Sequence, residues 1–361
     1  MSAADPTPPT LGSGDRLPRI LHRPPGPKSR RFATDLERLE APGVNTLYDG
    51  RPGIVWEEAV GANVLDVDGN VFIDLTAGFG VASVGHRRPE VVAAVADQAG
   101  RLLHGLADVA AHPRRIALTE RLVDLVPVED ARIYFAVSGA DAVEIALATA
   151  WLATGRRTTV AFEPAYHGTT LGALAATSRA AFREPFLDQL NPHVKRLPHG
   201  CDPANLDALL SGRDDVASVL VEPIAGREGA PLPPAGWLAA IAETCRRHDV
   251  LLIADEIFTG FGRTGAWFVC QEEGVAPDLI CCGKALGGGL PIAVVAGRAD
   301  LMAAWQRGGE ALHTATFIAH PQACAAALAT LDLIEADDLP GRARRLGALL
   351  DERSEAWRRD G

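Results

Sequence analysis

Lysine is close to absent from this sequence. Of 35 basic residues in a chain of 361, the lysines are Lys28, Lys195 and Lys284, and the remainder are arginine. Acidic residues outnumber basic ones 46 to 35, and the net charge of −11 argues against nucleic acid or an anionic membrane surface as a partner. No apolar run approaches the length of a membrane span, and the start Met1-Ser-Ala-Ala-Asp-Pro lacks a positive segment followed by an apolar one, so a cytoplasmic location is expected. Six cysteines, at 201, 245, 270, 281, 282 and 324, form no C-x-x-C pair and no Cys/His spacing of the zinc type. Reduced thiols and no metal site are therefore expected. A Walker-type G-x-x-x-x-G-K-[ST], an internal repeat and a low-complexity tract are also missing.

What is present suits an α/β enzyme. At 47% hydrophobic, the chain is long enough to bury one large core, or one large and one small domain. Residues 1–30, rich in proline, glycine and arginine without periodicity, predict an extended or partly disordered arm, followed by a helix over 31–40. Segment 62–74 alternates apolar and polar residues around Asp68-Gly69, a hairpin signal. Beyond residue 89, apolar runs at 132–136, 158–162, 216–221, 250–254, 278–281 and 292–296 alternate with amphipathic helices, two of them opened by Pro203 behind the cap Asp202 and by Pro234. Two further helices are expected over 321–335 and 338–359. Continuously apolar strands alternating with helices imply a mostly parallel central sheet with helices on both faces.

Lys284 stands just after the apolar run 278–282 and a turn at Gly283. An amine held at a buried strand end loses its proton more readily, because desolvation disfavours the ammonium, and the neutral amine can attack an aldehyde. A solvated loop lysine is the alternative, and the commoner fate of lysine in general. Asp255 ends the run 250–255, at the edge where open α/β sheets bind ligands. A carboxylate there needs a cation, and a protonated pyridine nitrogen would serve; an acid that merely caps the next loop is the alternative. In Val137-Ser-Gly-Ala-Asp-Ala-Val-Glu144 the strand passes into a helix whose first amides, at Gly139 and Ala140, are free to bind phosphate, although Ser138 is also an ordinary helix cap. Tyr166 offers a face for a flat heterocycle or for core packing, and its neighbour His167 can equally be a structural histidine. Gly260-Phe-Gly-Arg-Thr-Gly265 matches G-x-G-x-x-G and raises a dinucleotide-dependent dehydrogenase as a rival. The rival is rejected because Asp255-Glu-Ile-Phe-Thr separates the glycines from the strand, and the following Ala266-Trp-Phe-Val reads as extended.

In chain order these segments resemble the class III aminotransferases, fold-type-I (aspartate aminotransferase-like) enzymes that use pyridoxal 5′-phosphate (PLP). The resemblance runs from about residue 25 to the end. It is most specific in Asp255-Glu-Ile-Phe-Thr-Gly-Phe-Gly-Arg-Thr-Gly265 and Gly283-Lys-Ala-Leu-Gly-Gly-Gly-Leu-Pro-Ile292, with Gly85-His86, Glu222-Pro223 and Thr314-Ala-Thr316-Phe317 in support. It implies that Lys284 forms the Schiff base with the cofactor and then carries the proton, and that Asp255 pairs with the pyridinium. Ile257 and Tyr166 would sandwich the ring, and Ser138, Gly139 and Ala140 would hold the phosphate. Glu222 would lie close to the cofactor, Phe79 would line the substrate pocket, and Thr316 would reach the phosphate of a neighbouring subunit in a homodimer with shared sites. The implied domains are an arm (1–30), the N-terminal part of a small domain (31–80), a large PLP-binding domain (81–325) and connecting helices (326–361) that open a C-terminal domain.

Three departures stand out. Where the resemblance places a carboxylate-binding arginine two residues after the histidine, this chain has Thr169, and where it places a glutamate five residues after Glu222, this chain has Arg227. Arg227 is therefore a candidate grip for a substrate carboxylate, with a surface pair to Glu228 as the alternative. The resemblance also implies a further C-terminal segment after residue 361. The implied activity is amino-group transfer from an amine or amino acid to a keto or aldehyde acceptor. A racemase or epimerase, an aminomutase or decarboxylase of the same family, and a non-catalytic homologue acting as a subunit are the alternatives.

Overall fold

The alternating segment around Asp68-Gly69 forms two strands of a three-stranded antiparallel sheet in the computed structural model, which describes residues 11–44 and 53–360. The strands β1 (Trp56–Val60), β2 (Asn63–Asp66) and β3 (Val71–Ile73) pair in chain order within the first of two units, Met1–Val92. The β2–β3 turn is longer than a two-residue hairpin loop. The Asp66 carboxylate closes it, accepting from the amides of Asp68 (3.0 Å) and Asn70 (2.8 Å), while Gly69 takes the left-handed φ of +84° that the turn requires.

From residue 11 the expected free arm is tied to this hairpin; its first ten residues lie outside the described residues. Leu11 is buried against Leu65 and Val71, Arg19 exchanges backbone hydrogen bonds with Val71, and the side chains of Asn63 and Asn70 accept from the amides of Arg16, Leu21 and His22. A segment without periodicity cannot pair with itself, so its backbone groups find partners elsewhere. The helix expected from residue 31 starts earlier, at Pro27–Leu39. Asp68 is the reason: its two oxygens accept from the amides of Lys28 (2.7 Å) and Ser29 (2.9 Å), capping the helix from the hairpin turn.

The second unit, Ala93–Gly361, is built on seven strands: β4 (Ala131–Ala136), β5 (Thr158–Glu163), β6 (Val194–Pro198), β7 (Val216–Val221), β8 (Leu251–Asp255), β9 (Leu279–Cys282) and β10 (Ala293–Arg298). Their order is β4-β10-β9-β8-β7-β5-β6, with β10 antiparallel to both neighbours and the other strands mutually parallel. Every residue of β7 and β9 is buried, as expected of strands covered on both faces. Six of the seven strands fall on the apolar runs. The seventh, β6, carries Lys195, Arg196 and Pro198, which an edge strand tolerates because one side lacks a ladder partner.

Helix Gly139–Thr154 follows β4, and helix Pro203–Leu210 is capped by Asp202, whose Oδ1 accepts from Ala204 N at 2.9 Å. The helix expected from Pro234 begins instead at Trp237, because Gly236 takes φ +74° and cannot continue a helix backwards. Residues 266–268, expected to be extended, form a bend into the short helix Val269–Glu272. Two helices, Pro321–Ala336 and Leu339–Asp360, close the described chain. Among the described residues no helix is long and apolar enough to cross a membrane.

Parallel orientation has one consequence for function. The C-terminal ends of β4, β5, β7, β8 and β9 share one edge of the sheet, and Ser138, Tyr166, Glu222, Asp255 and Lys284 lie at or just past those ends.

Candidate active site

Lys284 opens a single 3-10 turn, Lys284–Gly287, two residues after β9. Its φ of +41° lies in the left-handed region, a strain of about 1–3 kcal/mol for a side chain of this kind, held in place by the surrounding packing. The Nζ atom sits 5.0 Å from the ring centre of Phe258. Burial lowers its pKa below the ordinary 10.5; Arg263 and Arg227 push the same way, while Asp255 and Glu222 oppose them. The amine thus gives up its proton more easily than a surface lysine.

Asp255 lies on the neighbouring strand, where the register pairs it with Cys281. Its Oδ2 is 2.7 Å from His167 Nδ1, and its Oδ1 accepts from Ile257 N at 3.2 Å. Burial opposes charge on the imidazole, but the hydrogen bond and charge of Asp255 outweigh it, so the His167 pKa is raised. The hydrogen-bond partner that a buried carboxylate needs is therefore supplied in part by His167, 88 residues away in sequence. His167 is fixed in turn by Thr177, whose Oγ1 accepts from His167 N and donates to Gly168 O, both at 2.9 Å.

Glu222, just after β7, accepts from the amide of Tyr166 at 2.9 Å. Burial pushes its carboxyl from 4.5 up to about 7; His167 opposes this and Asp255 reinforces it. A folded-state value above the unfolded one means that the folded protein binds the extra proton between those two pH values. Stability is then lost as pH rises from 4.5 through 7. Glu222→Gln keeps the acceptor for Tyr166 N and removes the titration. The urea midpoint of the cofactor-free variant should fall less between pH 5 and pH 7.5 than that of the wild type, by an equivalent of about 1–3 kcal/mol. Equal falls in the two proteins would show that Glu222 does not titrate in this window.

At the β4 end, Ser138 caps the helix by accepting from Asp141 N (3.2 Å), and Asp141 accepts from Val137 N (2.9 Å). This leaves the amides of Gly139 and Ala140 without an acceptor among the described residues. The backbone there is bare. A methyl on Gly139 would come within 3.1 Å of Ile257 Cδ1, and one on Gly168 would meet Ala140 Cβ at 2.5 Å. Open amides at a helix N-terminus suit a phosphate, a neutral-tending amine suits an aldehyde, and a buried carboxylate at the strand end suits a pyridinium. The residues present fit PLP.

Of the remaining expected residues, Tyr166 is half-buried, and the guanidinium of Arg227 lies over its ring, 4.1 Å from the centre. The alternative pairing of Arg227 with Glu228 does not form, because Glu228 pairs with Arg179 at 2.9 Å. Thr316 is exposed on a turn; the segment before it is tied to the helix start by His313 Nε2, 2.7 Å from Asp141 Oδ1. Thr169 is exposed. Phe79 lies in the first unit, with φ +59° and 81% of its surface exposed.

Sequence reasoning missed two contributors. Phe258 lies beside the lysine, hidden inside a motif noted for its glycines. Glu256 is wholly buried and accepts from Thr259 Oγ1 (2.6 Å), Val269 N (3.1 Å) and Cys270 N (2.8 Å), which pins the loop carrying Ile257 and Phe258. The tandem acids at the end of β8 were the available signal, and only one of them was given a role.

Comparison with known proteins agrees with this geometry. A family model described as Aminotransferase class-III matches residues 48–360. The chain is 38% identical to an acetylornithine aminotransferase of Methanothermobacter thermautotrophicus over 314 residues, covering 87% of this chain and 78% of the relative. It is 39% identical to that of Methanopyrus kandleri over 289 residues, covering 80% and 72%. Among solved structures, the ornithine aminotransferase of Toxoplasma gondii superposes with a TM-score of 0.81 at 29% identity, covering 89% of this chain and 75% of that one. An amine transaminase from an uncultivated Pseudomonas species, in its PLP-bound form, superposes with a TM-score of 0.78 at 33% identity, covering 86% and 77%. The fold is that of the fold-type-I PLP transferases, the cofactor is PLP and the activity is amino-group transfer. The chain belongs to the class-III aminotransferase family.

Proposed function

We propose that this aminotransferase binds its cofactor covalently through Lys284 and moves an amino group from an amine or amino acid to a keto or aldehyde acceptor, as a cytoplasmic homodimer. The observation that carries the reading is the lysine itself: an amine with a lowered pKa, on the same sheet edge as the Asp255–His167 pair. When bound, PLP supplies an aldehyde carbon that condenses with amines and a ring that draws electrons from the substrate carbon. Lys284 Nζ, whose burial favours the neutral amine, would be the nucleophile that takes the cofactor. With the cofactor in place, the same Nζ would carry the proton between the substrate carbon and C4′ of the cofactor. Asp255 keeps a proton on the pyridine nitrogen, and His167 holds Asp255 in position. Tyr166 and Ile257 enclose the ring, Ser138, Gly139 and Ala140 receive the phosphate, and Glu222 lies beside the cofactor.

The homodimer rests on Thr316, which is exposed and suits a residue serving a partner's site, and the location rests on six free cysteines, five of them buried. The names of the relatives, acetylornithine and ornithine aminotransferase, favour a substrate bearing both an amine and a carboxylate. With Thr169 in place of an arginine, this chain does not hold that carboxylate at position 169.

Borohydride reduction of the PLP-loaded protein, followed by peptide mapping, should place the label on Lys284. Addition of an amino donor before reduction should prevent labelling and yield stoichiometric keto product. Label on Lys28 or Lys195 would sink the assignment, and exchange of the α-hydrogen without keto product would replace transamination by racemisation.

A further inference from the structure

We propose that Arg227 recognises the carboxylate of the amino-acid or keto-acid substrate, in place of an arginine at position 169; the inference rests on the reading of the site given above. Arg227 belongs to the single 3-10 turn Gly226–Glu228 beyond β7. That turn is pressed onto the lysine's neighbour: a methyl on Gly226 would lie 2.2 Å from Cδ1 of Phe258, and Phe258 is the ring beside Lys284 Nζ. The positive charge of Arg227 is felt at Lys284, where it helps to lower the pKa.

The guanidinium is held but not used. It lies 4.1 Å from the ring centre of Tyr166 and 5.4 Å from that of Phe182, cation–π contacts that hold the charge against two aromatic rings. Aromatic rings offer no oxygen acceptor to the N–H donors of the guanidinium, and a carboxylate can meet those donors with two parallel hydrogen bonds. Among the described residues no carboxylate or carbonyl accepts from Arg227. The adjacent acid, Glu228, is taken by Arg179 at 2.9 Å. Nearby Arg263 differs, since its Nε donates to Phe258 O at 2.8 Å. Arg227 is thus an exposed cation without an ion-pair partner, preorganised on an aromatic platform at the mouth of the site. The tyrosine expected to cover one cofactor face also aligns the cation that selects the substrate.

The test compares Arg227→Gln with the wild-type holoenzyme in the first half-reaction, followed by the loss of cofactor absorbance, using L-glutamate and L-alanine against the carboxylate-free donor 1-phenylethylamine. Loss of one charge-assisted pair should lower kcat/KM for the amino acids by about 10–100-fold, mostly through KM, with little change for the amine. Glutarate, which carries carboxylates and no amine, should bind the variant more weakly by a similar factor when titrated calorimetrically into the holoenzyme. Equal losses for amino acids and amine would overturn the proposal and make Arg227 a prop for Tyr166. Unchanged amino-acid kinetics and glutarate affinity would overturn it outright. If the wild type converts no donor, the catalytic reading of Lys284 fails, and the glutarate titration still decides the role of Arg227.

Discussion

Lys284→Ala is expected to slow amino-group transfer by ~10⁴-fold or more, the largest effect of any single substitution in the chain. A positioned proton carrier contributes up to about 10⁴-fold, and on the proposed function this residue would also be the nucleophile that takes the cofactor. With lysine at only two other positions, 28 and 195, no neighbouring amine offers itself as a substitute. The variant should fold, because alanine keeps the same Cβ at φ +41° and the substitution removes an amine whose burial is unfavourable. It should still bind PLP through the Gly139 and Ala140 amides and Asp255, but reversibly, so that dialysis strips it. In the wild type, the rate of covalent capture should rise with pH and level off below the 10.5 of an ordinary lysine, because burial and the two nearby arginines disfavour the ammonium. Stopped-flow absorbance on the cofactor-free protein reads both quantities. A variant that retains more than about one hundredth of the wild-type rate would remove Lys284 from the chemistry.

Asp255→Asn is expected to lower the same half-reaction by about 10²–10³-fold, in the range seen when one preorganised electrostatic group is removed from a reacting centre. The amide oxygen can still accept from His167 Nδ1 in place of Oδ2, so the imidazole keeps its partner, but the NH2 group that replaces Oδ1 cannot accept from Ile257 N, and the amide no longer stabilises a proton on the pyridine nitrogen. Asparagine is the informative choice. Alanine would strand His167 without its buried partner, and removing one member of a buried ion pair costs about 3–5 kcal/mol, which would confuse lost catalysis with lost folding. A urea midpoint lowered by the one lost loop hydrogen bond, about 1–3 kcal/mol, together with slow turnover is the expected combination for Asp255→Asn. Near-native turnover would mean that the nitrogen is managed by another group.

These two residues were also the most legible in the sequence, for one physical reason. A charged side chain directly after a run of buried apolar residues has little use except at a site, and both β8 and β9 are such runs. Ser138 was legible in the same way, as the residue between an apolar strand and an alanine-rich helix. The partners of these residues were not legible. His167 meets Asp255 only because β5 and β8 flank β7 in the sheet, an order that local propensity does not encode. β6 was missed because edge strands do not need to be apolar on both faces, and the early start of helix Pro27–Leu39 was missed because its cap, Asp68, is 40 residues away.

By itself the sequence determined the kind of chemistry. A scarce lysine, a strand-end aspartate and a small-residue helix start follow from apolar periodicity and local turn residues, which are written within stretches of about ten residues. Tertiary structure decided how that chemistry is tuned and aimed. It set the depth of burial that lowers the Lys284 pKa and raises that of Glu222, the His167 partner of Asp255, and the allocation of Glu228 to Arg179 that leaves Arg227 without an ion-pair partner. Each of these depends on desolvation or on a contact between residues far apart in the chain, and such terms exist only once the sheet has brought its strands side by side.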